Sequence, residues 1–171
     1  MWYVIQVRSG NEENICLQCR KQIPETVLER CFIPCCEEEK RIRGEWIVRK
    51  KVLFPGYVFV VTGDLISLYR ELKSVNGLTK MIGTGQEIVP LTEEEIEFLL
   101  EMGGEKQYVE KSTGVIVNSK THVLTGPLKG KEGYIRKIDR HKRKAWLEVE
   151  MFGRRQEIQV GLEIIAKTVE K

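Results

Sequence analysis

Cysteine, histidine and clustered carboxylates are where specific chemistry would first be sought in this 171-residue chain, which holds five Cys and two His. Cys16 and Cys19 form a C-x-x-C pair, and Cys35-Cys36 follow downstream, so a metal or redox centre is the first chemistry to weigh. Zinc usually takes such pairs from a tight knuckle and needs four well-placed ligands. Here the pair falls inside a helical pattern with Ile23 on the same face, which reads as reduced core or surface thiols. His122 lies in strand-like sequence and His141 in a basic turn, neither with a nucleophile and a third orienting group at hand. The runs Glu37-Glu38-Glu39 and Glu93-Glu94-Glu95 are consecutive, so they spread around an element instead of converging on a metal. The first reads as a solvated hairpin and the second as a helix start favoured by the dipole. No catalytic residue, metal or cofactor is expected, and the chain is not expected to be an enzyme.

The chemistry that remains is cationic. Gly126-Pro127-Leu128-Lys129-Gly130-Lys131-Glu132-Gly133 is followed by a strand-like stretch, then by six Lys or Arg and one His between Arg136 and Lys144, and later by Phe152-Gly153-Arg154-Arg155. A phosphate-cradling glycine loop would need a helix straight after it, so Gly126, Gly130 and Gly133 read instead as turn and close-contact positions of a small β module. Asp139-Arg140-His141 should form the tip of a hairpin. Arg136, Lys137, Arg140, His141, Lys142, Arg143 and Lys144, joined by Lys129, Lys131, Arg154 and Arg155 on neighbouring loops, could line one end of a barrel as an RNA-binding set. Phosphate contacts supply affinity with little sequence information, and the planar Arg fork can also read guanine edges. The bland alternative is a solvated basic hairpin.

Charge distribution supports two surfaces with two kinds of partner. Residues 1–111 hold 15 Lys and Arg against 18 Asp and Glu, a net −3, whereas residues 112–171 hold 13 against 7, a net +6. No apolar run approaches the roughly 20 residues that span a bilayer, and the N-terminus lacks the pattern of a signal peptide. A cytoplasmic, monomeric protein without a membrane partner is expected.

The elements that must position these residues follow from periodicity. Residues 2–7 alternate and suggest a first strand; Asn11 can cap a helix over 12–22, ended by Pro24. Residues 31–36 and 45–53 are strand-like and joined through a charged stretch, and residues 57–61 read as a buried central strand. Asp64 can cap a helix over 65–74, residues 78–82 begin another strand, and Gly83-Thr84-Gly85 reads as a turn. Thr92 and Glu95 form a capping box ahead of Ile96, Leu99 and Leu100, with Gly103-Gly104 as the stop. Residues 106–114 are polar and aperiodic and read as a linker. Beyond it, short strands near 115–124, 132–138, 145–152, 157–160 and 162–166 favour a small barrel. The fold class is α+β: an N-terminal antiparallel sheet with helices over residues 1–105, then a small all-β barrel over 115–171.

Trp2-Tyr3-Val4, Phe54-Pro55-Gly56-Tyr57-Val58-Phe59, Val89-Pro90-Leu91-Thr92-Glu93-Glu94-Glu95, the Gly126–Gly133 segment and Phe152-Gly153-Arg154 occur in an order that resembles the NusG family of transcription elongation factors. The resemblance covers essentially the whole chain and implies an NGN domain followed by a KOW domain with an SH3-like barrel. It implies further that the NGN domain docks on the clamp helices of RNA polymerase and favours processive elongation. The positions matching the family's docking patch are Phe54, Pro55, Tyr57, Phe59 and Met81, residue types that supply large adaptable contact area. Alternation puts Tyr57 and Phe59 on one face and Val58 and Val60 on the other, so both sets cannot serve one surface; core packing is the competing reading.

Departures from the housekeeping pattern point to a specialised paralogue of the RfaH and LoaP kind, an antitermination factor for particular operons. They are Asn76-Gly77-Leu78-Thr79-Lys80-Met81-Ile82 after the second helix, Gln6 in the first strand, the basic run 136–144, and residues 156–159 in place of Thr-Pro-Val-Glu. The implied partner of the barrel is a structured nascent leader RNA, with a small-subunit ribosomal protein as the family's other option. A general NusG-type factor coupling polymerase to the ribosome or to a termination factor, and a ribosome-associated KOW protein, are the alternatives.

Overall fold

The computed structural model describes residues 1–84 and 87–170, so the Gly85 end of the expected turn lies outside the described residues. The chain divides into two compact units, Met1–Pro34 with Phe54–Glu97, and Cys35–Leu53 with Phe98–Lys171.

In the first unit the apolar runs become a four-stranded antiparallel sheet. Strands β1 (Trp2–Val7), β2 (Arg30–Phe32), β5 (Tyr57–Val61) and β6 (Leu78–Met81) are ordered β2-β5-β1-β6. Burial of Val58, Phe59 and Val60 at 0% exposure bears out β5 as an interior strand. Helices α1 (Glu12–Gln22) and α2 (Leu65–Leu72) cover one face, where Ile15, Cys16, Cys19, Leu68 and Leu72 meet Tyr3, Ile5, Val7, Val58 and Val60 in a single core. Residues four apart share a helix face, which is why Ile15 and Cys19, and Leu68 and Leu72, point the same way.

The caps show how local chemistry sets the helix starts. Asp64 accepts a hydrogen bond from the Ser67 N–H at 3.1 Å, as expected. The capping box before α3 (Glu93–Gly103) is reciprocal: Thr92 N–H donates to Glu95 at 2.9 Å, and Glu95 N–H to Thr92 Oγ1 at 3.2 Å. Asn11 makes no cap bond with its side chain. The buried Glu12 carboxylate instead accepts from the Gly10 and Gly56 N–H groups, tying the α1 start to the turn before β5.

The second unit contains a correction. The glutamate run is not a connector: β3 (Cys35–Ile42) and β4 (Glu45–Val52) pair in full register, and only Arg43 and Gly44, both at positive φ, make the turn. This hairpin belongs with the barrel although it lies in the N-terminal half of the chain. Nor is 106–114 a free tether, because β9 (Tyr108–Val109) pairs in parallel with Cys35 and Cys36 and β10 (Ser112–Val117) begins inside that stretch. β7 (Gly83–Thr84) and β8 (Glu87–Ile88) pair with each other in the first unit.

The barrel sheet runs β11-β10-β14-β13-β12, with β11 (Lys120–Thr125), β12 (Ile135–Asp139), β13 (Lys144–Met151) and β14 (Arg154–Thr168). Three expected boundaries move. Residues 115–124 are two strands turned at Asn118 and Ser119, both at positive φ; Glu132–Tyr134 is a 3-10 turn; and 157–166 lies in one long strand that pairs with β13 and, in parallel, with β10. Leu128, Ala145, Leu147, Met151 and Leu162 fill the interior at 0% exposure.

Candidate nucleic-acid interface

The β12–β13 turn is built as expected. Asp139 caps it by accepting the Lys142 N–H at 3.0 Å, and Arg143 takes a positive φ. That bond, with Lys142 and His141 nearby, holds the Asp139 carboxyl below the usual carboxylate range. Arg140, His141 and Lys142 are exposed and make no ion pair with any described residue. A short, fixed turn therefore projects two cations and an imidazole into solvent.

The other cations of the expected set are placed differently. Arg154 and Arg155 open β14 opposite Met151 and Glu150, at the other end of β13 from Lys144. Seven residues of strand separate the two ends by about 23 Å, so they cannot line the same end of the barrel. Arg136 and Arg155 share Glu148, at 3.0 and 3.5 Å, and Lys131 pairs with Glu101. Lys137 lies 4.7 Å from the centre of the Trp146 ring, and Lys129 is exposed on the loop before the 3-10 turn.

Arg143 and Lys144 turn towards the β3–β4 hairpin. Arg143 pairs with Glu39 and reaches Glu163 at 3.4 Å, while its guanidinium stacks 3.9 Å from the Trp46 ring centre. Lys111 joins the same two carboxylates, and Glu38 gathers Arg49 at 3.0 Å, Lys51 at 3.4 Å and Lys144 at 3.5 Å. Lys51 also donates to Gln159 Oε1 at 2.7 Å. Gly161 permits this approach, since a Cβ there would sit 3.0 Å from the Glu37 carbonyl oxygen. Sequence reading missed the hairpin as part of the site. The signal was present in the consecutive runs Glu37-Glu38-Glu39 and Arg49-Lys50-Lys51, of which Glu37 and Glu38 stand opposite Lys50 and Arg49 once the strands pair.

Burial alone would raise both carboxyls, but hydrogen bonds from Arg49 to Glu38, and from Lys111 and Arg143 to Glu39, outweigh it and hold both below the usual 4.5. A depressed carboxyl stabilises the fold above its unfolded pKa and loses that contribution as pH falls through the folded value. The protection factors of the hairpin amides, followed downward from pH 7 and referred to the intrinsic exchange rate at each pH, are thus expected to fall only below about pH 4.5. Unchanged protection down to pH 3 would show that these ion pairs do not hold the hairpin.

The thiols are core. All five cysteines are buried, and Cys16 Sγ bonds the Cys31 carbonyl at 3.4 Å. Hydrogen bonds from Cys16 and Cys19, and then burial, push the Cys31 thiol well above the ordinary range; burial pushes Cys36 up to about 12. Cys31 and Cys36 are thereby held as thiols, whereas the hydrogen bonds with Cys31 lower Cys16 and Cys19 against the opposing effect of burial.

In the first unit, Phe59 is fully buried and Phe54 is 2% exposed; their rings stand 5.8 Å apart, with Phe32 beyond at 5.5 Å from Phe59. Tyr57 is half-buried and Pro55 exposed. Met81 is paired with Ile5 and packs in the core beneath the helices, a correction to its grouping with Tyr57, because adjacent rungs present opposite faces.

The described residues thus form a helix-backed antiparallel sheet in one unit and a small barrel with a cationic turn in the other. Residues 1–100 match the family described as "Transcription termination factor nusG". The chain is 27% identical to the transcription termination/antitermination protein NusG of Halalkalibacterium halodurans, over 97% of both chains. It is 30% identical to the protein of that name from Staphylococcus aureus, over 97% of this chain and 94% of the relative. A solved structure showing the domain interaction in Thermotoga maritima NusG superposes with a TM-score of 0.61 at 26% identity, covering 94% of this chain and 92% of that one. The chain belongs to the NusG family, whose members are transcription termination and antitermination factors, and the expected α+β architecture stands.

Proposed function

We propose that this chain is a specialised antitermination factor: its N-terminal sheet domain docks on the clamp helices of RNA polymerase while its barrel grips a structured leader RNA, so that particular operons are transcribed processively. The carrying observation is the Arg140-His141-Lys142 turn, exposed and without ion-pair partners among the described residues, on a C-terminal region of net +6. Structured RNA offers shape and backbone more readily than a base code in its deep major groove, which suits a compact cationic turn. For polymerase, Pro55 and Tyr57 supply accessible surface, and Phe54 and Phe59 back them with a rigid aromatic layer.

Reversing charge in Arg140→Glu with Lys142→Glu is expected to weaken leader-RNA binding about tenfold or more. It should also lower the dependence of log K on log salt by about 0.7 to 0.9 for each phosphate that the turn no longer neutralises. Co-purification with polymerase should persist. RNA affinity unchanged by the double variant, or recovery with ribosomal subunits in place of polymerase, would overturn the proposal. End-to-end similarity to general NusG proteins supports the housekeeping role as the second reading, and equal affinity for unrelated RNAs would favour it.

A further inference from the structure

The hairpin that packs with the barrel also builds a groove. Residues of β3 and β4 and of the β12–β13 turn enclose an open volume of about 710 Å³. Its two acidic lining residues are Glu38 and Glu39, and both are already committed: Glu38 to Arg49, Lys51 and Lys144, and Glu39 to Lys111 and Arg143. What remains is one-sided. Lys40, Arg41 and Lys50 on the hairpin and His141 and Lys142 on the turn all line it, Arg41 and Lys50 from one face of the hairpin and Lys40 from the other; all five are exposed and lack an ion pair among the described residues, with the Asp139 carboxylate beside the turn pair.

The two walls act on the same solvent. A volume of 710 Å³ is that of a sphere roughly 11 Å across, comparable with the Debye length of about 8 to 10 Å near physiological salt, so the fields of the walls add. Trp46, half-buried in the groove and stacked on Arg143, adds a planar edge of the kind that bases and riboses pack against. A cationic trough with an aromatic rim matches a sugar-phosphate backbone. An acidic peptide would satisfy the cations but leave the Trp46–Arg143 plate unused.

We propose that the β3–β4 hairpin is the second wall of the RNA site, so that a phosphodiester backbone lies between Arg41 and Lys50 on one side and His141 and Lys142 on the other, with Lys40 at the rim. The proposal rests on the RNA-binding reading above. It assigns RNA contacts to a segment of the N-terminal half and makes recognition depend on the ion pairs that hold the hairpin in place.

The test uses the full chain, the leader RNA folded as a stem-loop, and the DNA hairpin of the same sequence. Arg41→Glu with Lys50→Glu is expected to lower RNA affinity about tenfold and to reduce the salt slope by about 1 to 2, while Arg41→Gln with Lys50→Gln gives a smaller loss of the same sign. All four substitutions are at exposed positions, and unchanged thermal unfolding would confirm that the fold is kept. If the turn variant Arg140→Glu with Lys142→Glu loses RNA and the hairpin variants do not, the second wall is refuted and the RNA-binding function stands. If neither variant changes affinity, both fail together. An equal loss for the DNA hairpin, or a loss seen only with an acidic peptide, overturns the assignment to RNA.

Discussion

Gly126→Val is expected to unfold the barrel, whereas Gly130→Val four residues away should be tolerated. Both glycines have positive φ, +97° and +81°, so both substitutions carry the backbone strain of the left-handed region, of order 1–3 kcal/mol. Their surroundings differ. A Cβ at Gly126 would fall 2.6 Å from Ser112 Oγ, 2.7 Å from Ser112 Cα and 3.0 Å from the Lys111 carbonyl, whereas a Cβ at Gly130 meets nothing within 4 Å. Ser112 cannot yield, because it is fully buried and its hydroxyl accepts the Leu128 N–H at 3.0 Å. Breaking that bond strands buried polar groups at about 1–3 kcal/mol. Displacing Leu128 from the barrel interior costs a further 2 kcal/mol or so. The sum, about 4–8 kcal/mol, is comparable with the whole stability of a domain of this size. Urea unfolding of the two variants decides the matter: equal losses would show that strain alone, and not the contact with Ser112, makes Gly126 necessary.

Removing one carboxylate should free the hairpin. Glu39 is 8% exposed and bridges Lys111 and Arg143, so Glu39→Ala leaves two cations facing each other in a poorly solvated place. Breaking a buried ion pair from one side costs about 3–5 kcal/mol. Here Glu163 lies 3.4 Å from both cations and takes up part of the load, so a loss of about 2–3 kcal/mol is expected. Glu163→Ala alone should cost less, being more exposed, and the double variant should lose more than the sum of the singles, the signature of a shared network. Hydrogen exchange of the 35–52 amides should quicken severalfold more than that of β13, since the hairpin depends on these pairs while β13 lies inside the sheet. Additive losses, or uniform exchange across hairpin and barrel, would refute the network. On the proposed two-walled RNA site, Glu39→Ala should also weaken RNA binding despite removing a negative charge.

The residues proposed to face polymerase show where reading by alternation reaches its limit. Tyr57 and Phe59 do share a strand face, as period two requires, yet one is half-buried and the other fully so. Alternation assigns a face but not its cover, and the Phe32–Phe59–Phe54 row assembles from segments distant in sequence. Asn11 illustrates the opposite error. Its type is right for a cap, but Glu12 reaches Gly10 and Gly56 and takes over the anchoring of the helix start, which no local pattern announces.

By itself the sequence determined what depends on short-range periodicity, turn chemistry and charge: the three helices and two of their caps, the buried strand 57–61, the α+β order of the elements and the cationic turn at 140–142. These follow from steric and hydrogen-bonding preferences acting within a few residues, so they survive without tertiary information. Only the tertiary structure decided which charges remain available. Pairing of β3 with β4, close approach at Gly161 and the β13 register send Arg143 and Lys144 to glutamates, separate Arg154 and Arg155 from the turn, and bring Lys40, Arg41 and Lys50 beside it. Coulomb attraction depends on distance in space, and residues a hundred positions apart acquire that distance only when the chain folds.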